Sequence, residues 1–264
     1  MNNVSLSELI YPVDEAAKRP ADVSGGDYLL FEQSSGAGST LLLFDRMQLE
    51  VDLINWSSMN PETYKISRRS LLGYIQYGNP RNRVCRVEAV LSLVPGYGPL
   101  MYEFAMASIQ KKLGDEQWFG SDMSVEERAR GVWDKFLQGV NPDIEHQWAG
   151  NVSKQAIIAA LRASGFRLVP LPNQLLTNPA GPMTQEQFMA DPQLLELFKE
   201  ANHPGLFYLY KLRPGASAAS VYGDLVAKTN KWAIKEFGDP PDEAIDTLSN
   251  LAAQIFSSAW NGAR

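Results

Sequence analysis

The run Pro95-Gly96-Tyr97-Gly98-Pro99 is where the chain could do chemistry. It stands between an apolar-rich stretch, Val84 to Val94, and a segment in which Leu100, Phe104, Ala107, Ile109 and Leu113 fit one broad helical face. Glycines let a backbone come close to a ligand, and the first N–H groups of a helix, at its positive dipole end, bind anions such as a pyrophosphate. A purely structural turn satisfies the same pattern. Other reactive side chains are sparse. Cys85 is the only cysteine, so it forms no internal disulfide and no cysteine-rich metal site. With only His146 and His203 to serve as a nearby base, it reads as a small buried hydrophobe. The two histidines lie far apart, and no acidic cluster has ligand spacing, so no metal is expected.

The elements around the turn follow from pattern. Tyr28 to Glu32 and Leu41 to Phe44 read as a hairpin across Ser34-Ser35-Gly36-Ala37-Gly38-Ser39. Alternation of Met47, Leu49, Val51 and Leu53 predicts a further strand, and Leu71 to Tyr77 another. Arg83 to Val94 is a longer strand, after which the period changes to helix up to Gly114. Gln117 to Gly120 is a short strand. Ser124 and Glu127 then form a capping box for a helix running through Trp133 and Phe136 to Gly139. Strand, glycine turn, helix, short strand and helix make an α/β unit in mid-chain. Beyond it the pattern is mostly helical: Ser153 to Ser164, Thr184 to Ala201 with a break at Pro192, Val221 to Phe237 and Asp242 to Trp260, with one strand, residues 206-212.

Two segments together carry a resemblance. Val87-Glu88-Ala89-Val90-Leu91-Ser92-Leu93-Val94-Pro95-Gly96-Tyr97-Gly98-Pro99-Leu100-Met101-Tyr102-Glu103 resembles the coenzyme A motif of GNAT-like (GCN5-related) N-acyltransferases, in the bacteriophage-encoded type. The segment from Gly120 through Ser121 and Asp122 to Val132 and Trp133 resembles that group's next strand and helix. The resemblance implies a mixed α/β (α+β) fold, with a mainly antiparallel twisted sheet flanked by helices. It implies acetyl-CoA or another acyl-CoA as co-substrate, no metal, and transfer of the acyl group to an amine. Gly96, Tyr97, Gly98 and Pro99 would form the binding loop, with Leu93 and Val94 offering backbone groups to the pantetheine arm. A base must take the ammonium proton. Glu88 is the candidate, the alternative being an edge glutamate paired with Arg86 or Arg83. Asp122 is a second candidate, the alternative being a turn former. Leu93 stands where many members carry Arg or Gln, and Met123 where phage relatives often carry Arg. Those departures keep two other readings open: a non-catalytic GNAT-fold binding module, and a transferase using an activated amino-acid donor without coenzyme A.

Bulk properties narrow the partners. The 264 residues are 45% hydrophobic and 20% charged, ordinary for a packed globular chain. The expected division is an N-terminal arm (1-26), a GNAT-like core (27-150) and a mostly helical C-terminal extension (151-264). A net charge of −6 disfavours phosphate backbones as partners unless a local patch, such as Lys65, Arg68 and Arg69 or Arg81, Arg83 and Arg86, supplies contacts. Among phage enzymes of this type an aminomethylated pyrimidine in DNA is one acceptor, so DNA hypermodification is one expectation and a small-molecule or protein amine the other. No signal peptide and no run of about 18 apolar residues is present, so a cytoplasmic location, the host's if phage-encoded, and no membrane partner are expected.

Overall fold

A computed structural model describes residues 17-58, 70-121, 127-149, 184-192 and 207-238. Contacts divide the chain into two compact units: residues 1-79, 87-115 and 214-264, and residues 80-86 and 116-213. Strand β4 passes covalently from one to the other.

The first unit is built on four antiparallel strands in the order β1 (Tyr28–Ser34), β2 (Gly38–Asp45), β3 (Leu71–Gly78) and β4 (Val84–Ser92). The β1–β2 hairpin closes through Ser35 and Gly38, whose backbone groups bond each other. Gly38 is required there, because a Cβ would lie 2.1 Å from the Tyr77 carbonyl oxygen on β3. Leu41 to Phe44 is one apolar run because both faces of this sheet are covered. One face carries Leu29, Phe31, Leu42, Phe44, Tyr74 and Leu91 into a cluster with Leu49, Trp232 and Ala233. Phe31 makes edge contacts with Phe44 (5.6 Å) and Trp232 (6.0 Å).

The helices of this unit are α1 (Pro20–Val23), α2 (Arg46–Ser58), α3 (Tyr97–Leu113) and, from the C-terminal stretch, a long helix over Ser217–Phe237. The segment expected as a strand from Met47 to Trp56 is helix α2. Asp45 caps it, its carboxylate accepting from the Gln48 N–H at 3.0 Å, and Arg46 pairs with Glu50 one turn on at 2.7 Å. The alternating apolar residues therefore divide differently: Leu49 is buried, while Met47, Val51 and Ile54 at i, i+4 and i+7 face water. Helix α3 is buried at every position from Leu100 to Ile109, with Met101 against Gly73. A polar knot ties three layers. Glu32 on β1 accepts from Ser108 of α3 and from Tyr222 of the long C-terminal helix, and pairs with Lys112 at 2.7 Å.

The second unit uses the first residues of β4. Val84 to Arg86 run parallel to β5 (Trp118–Gly120), β5 pairs antiparallel with β7 (Tyr208–Leu212), and β7 with β6 (Ile144–Trp148). Helix α4 (Glu127–Leu137) lays Trp133 and Phe136 on Tyr210, at 5.1 and 6.0 Å, and Trp133 on Phe119 at 5.8 Å. A short helix, α5 (Gln185–Met189), opens with a reciprocal cap between Thr184 and Gln187. The long helix over Ser217–Phe237 is α6. The arrangement is the mixed, mainly antiparallel sheet with flanking helices that the resemblance implies, and the described part of the C-terminal extension holds α5, β7 and α6. Ser153 to Ser164 and Asp242 to Trp260 lie outside the described residues. Strand β6, for which the pattern predicts no element, places His146 against Tyr208 and Tyr210 and Trp148 against Tyr208.

Candidate functional site

Strand β4 ends at Ser92, whose hydroxyl donates to the Val94 carbonyl at 2.6 Å and so bends the chain into the turn. The Leu93 N–H is committed to the Leu72 carbonyl at 3.2 Å, which leaves the Val94 N–H as the next donor along the strand end. Gly96 sits in the left-handed region (φ 86°) and is the N-cap of α3. A side chain there would be strained, which is why the turn needs glycine. The Gly96 carbonyl accepts from the Lys18 N–H at 2.9 Å, so the segment before α1 pins the turn from outside. Tyr97 turns inward, its hydroxyl 3.3 Å from that of Tyr28, and burial with this neighbour pushes its phenol well above the ordinary range. Its ring is thus taken up inside the fold, which leaves its N–H as the group it can offer at the turn.

Helix α3 starts without a side-chain cap and with no acidic residue in its first turn. The opening N–H groups of a helix have no intrahelical acceptor, and Pro99 carries none, so the N–H groups of Tyr97 and Gly98 present the positive end of a 17-residue helix. An uncapped start alone does not mark a site, since α6 begins equally uncapped at Ala216. What sets α3 apart is Gly98. Its φ is not positive, and among the described residues beyond its chain neighbours a Cβ there would meet only Ser92 Cβ, at 3.7 Å. Packing among the described residues leaves room there for a larger side chain, although Gly98 also precedes Pro99, where a Cβ in helical conformation crowds the proline ring.

Glu88 lies on the same strand, about 16 Å from Leu93 at the rise of a β-strand. It is exposed, and it is the extra residue of a β-bulge: Gln76 pairs with Ala89 and the adjacent Tyr77 with Val87. Among the described residues it makes no ion pair, and its hydrogen bond comes from Gln76 Nε2 at 2.9 Å. The arginines considered as its partners are directed elsewhere in the second unit. Arg83 pairs with Glu116 at 2.9 Å, and Arg86 donates to the Ser121 carbonyl at 2.8 Å. Gln76 and Gly78, which flank Glu88, were not singled out from sequence, because the bulge sets their register and nothing in the residue types announces it.

No protein-family model, curated protein or solved structure matches the chain.

The remaining candidates fall as follows. Asp122 and Met123 lie outside the described residues, as do His203, Lys65, Arg68 and Arg69. His146 is exposed on β6 against Tyr208 and Tyr210. Cys85 is buried, and burial pushes its thiol up to about 11, which is the condition of a packing residue rather than a nucleophile. Tyr102 is core. Among the described residues no group of three or more His, Cys, Asp or Glu stands close enough to hold a metal, and no helix is long and apolar enough to cross a membrane.

Proposed function

We propose that the chain is a GNAT-like N-acyltransferase that moves an acyl group from acetyl-CoA, or another acyl-CoA, to an amine. The observation that carries this reading is the turn Gly96–Gly98. It is an uncapped helix start, without acidic residues, holding a glycine beside which the described residues leave open space, at the end of a strand that also bears a carboxylate with no ion pair among the described residues. The resemblance of Val87 to Glu103 and of Gly120 to Trp133 to the phage-encoded type points the same way. The N–H groups of Tyr97 and Gly98 would receive the pyrophosphate, and β4 would guide the pantetheine arm toward Glu88. The thioester supplies an activated carbonyl. The amine nitrogen forms the new C–N bond, the C–S bond breaks with its electron pair on sulfur, and Glu88 takes the proton from nitrogen.

For the acceptor, the resemblance suggests an aminomethylated pyrimidine in phage DNA. The net charge of −6 favours a small-molecule or protein amine instead. The site of action would be the cytoplasm of the host.

Thermal or chemical denaturation of the full chain with acetyl-CoA tests the reading. A ligand at about 100 times its dissociation constant stabilises by roughly 2.7 kcal/mol. Absence of any stabilisation by a panel of acyl-CoAs would remove the acyltransferase, and DNA binding in that case would favour transfer from an activated amino-acid donor. Stabilisation with no turnover of any amine would leave a binding module.

A further inference from the structure

Glu88 is held by more than its own strand. Its Oε2 accepts from Gln76 Nε2 at 2.9 Å, and Gln76 Oε1 in turn accepts from the Tyr74 hydroxyl at 2.9 Å. Tyr74 is buried in the core cluster with Leu42 and Leu91, so the relay begins at a fixed point. A carboxylate only accepts, so the Gln76 NH2 is turned to Glu88 and its Oε1 is left to accept from the Tyr74 hydroxyl. The other carboxylate oxygen lies over Gly78. A Cβ at 78 would stand 2.6 Å from Glu88 Oε1, and its three nearest neighbours would all be Glu88 atoms. Among the described residues Oε1 accepts no hydrogen bond. The bulge aims the side chain at this spot, as bulges beside functional sites do.

We infer that Gln76 and Gly78 are positioning residues for Glu88, fixing Oε2 and clearing the place of Oε1, so that Oε1 is the atom that accepts the proton of the amine acceptor. This rests on the acyltransferase reading. The proton passes from the acceptor's nitrogen to Oε1 as that nitrogen bonds the thioester carbon and the sulfur leaves with its electron pair.

A double-mutant cycle tests it. Gln76→Met keeps the length and removes both the donor and the acceptor. The expected result is a kcat about tenfold lower with KM for acetyl-CoA unchanged, and no further loss when the change is made in a Glu88→Gln background. Gly78→Ala, which displaces the carboxylate by a different route, should behave in the same way. Losses that add in the double variant, or a change confined to KM, overturn the inference. If the folded wild-type protein turns over no acyl-CoA and amine, the acyltransferase reading fails, and the proton-accepting role of Oε1 fails with it. The positioning is then decided by 15N NMR: the Gln76 side-chain amide signal should move in Glu88→Gln and in Gly78→Ala, and an unmoved signal refutes it.

Discussion

Replacing Gly98 separates what the fold needs from what a ligand needs. In the free protein a methyl at 98 meets, among the described residues beyond its chain neighbours, only Ser92 Cβ at an ordinary contact distance of 3.7 Å, and its one steric cost is crowding against the ring of Pro99. Gly98→Ala should therefore change the stability of the free protein by no more than about 1 kcal/mol, the gain from narrowing the unfolded ensemble offsetting the crowding against Pro99. Gly98→Val should leave it folded, since the described residues leave space beside residue 98. The same side chains stand where an anion must approach the N–H groups of Tyr97 and Gly98. With acetyl-CoA at about 100 times the wild-type dissociation constant, the wild type gains roughly 2.7 kcal/mol. A variant bound a hundredfold more weakly gains only about 0.4 kcal/mol. Urea denaturation with and without acetyl-CoA reads both quantities at once, and the signature is their divergence: a free protein little changed in stability, and a ligand effect nearly lost. If folded Gly98→Val keeps the whole ligand effect, the anion does not sit at this turn. If Gly98→Ala instead destabilises the free protein by more than about 1 kcal/mol, the residue is glycine for packing and the argument for a ligand there loses its basis.

Two further expectations concern the first unit's framework and the buried thiol. Thr229 accepts from the Leu30 N–H at 2.7 Å while donating to the Leu225 carbonyl, both in buried surroundings, so Thr229→Val should cost about 1 to 3 kcal/mol in urea denaturation; a loss below about 0.5 kcal/mol would mean that the strand N–H finds another acceptor. Cys85 has its thiol raised from 9.0 to about 11, so the folded state is favoured while the thiol is neutral in both states; that contribution is complete below pH 9 and is lost as pH rises toward 11. It amounts to at most about 3 kcal/mol. Cys85→Ala should flatten part of the alkaline fall in stability, and the native thiol should resist an aromatic disulfide reagent at pH 7 until the protein is unfolded. Rapid labelling of the native protein would show the residue to be accessible.

Much of the frame was readable because its signals are local. The hairpin at Ser35 to Gly38, the end of β4 at the proline-glycine turn, the stop of α3 at Gly114 and the strand before Arg213 all declare themselves through glycine, proline and apolar runs. Helix α2 was misread because apolar residues at Met47, Leu49, Val51 and Leu53 satisfy a period of two, while the stronger local signal was passed over. That signal was Asp45 followed by Gln48 as a cap and Arg46 followed by Glu50 as a one-turn ion pair. At the candidate site, the turn and Glu88 could be found from residue types. Gln76, Gly78 and Tyr74 could not, because one bulged residue shifts which side chains meet across β3 and β4, and no local pattern encodes that shift. Lys18, whose N–H pins Gly96, was equally hidden, since a backbone bond across so long a span leaves no trace in side-chain type.

The partner of β1's edge comes late. The Leu30 N–H is satisfied by Thr229, 199 residues further along, and Trp232 and Ala233 close the same cluster. At a ribosomal rate of roughly 5 to 20 residues per second, the first hairpin waits on the order of 10 to 40 s between its own emergence and that of the helix that shields it. During that interval an apolar strand with an open edge is presented to every other nascent chain on the same message, the circumstance in which edge-to-edge association competes with folding. The pace of translation through the middle of the gene thus bears on yield, and a chain terminated before Ser217 would be left holding the problem permanently.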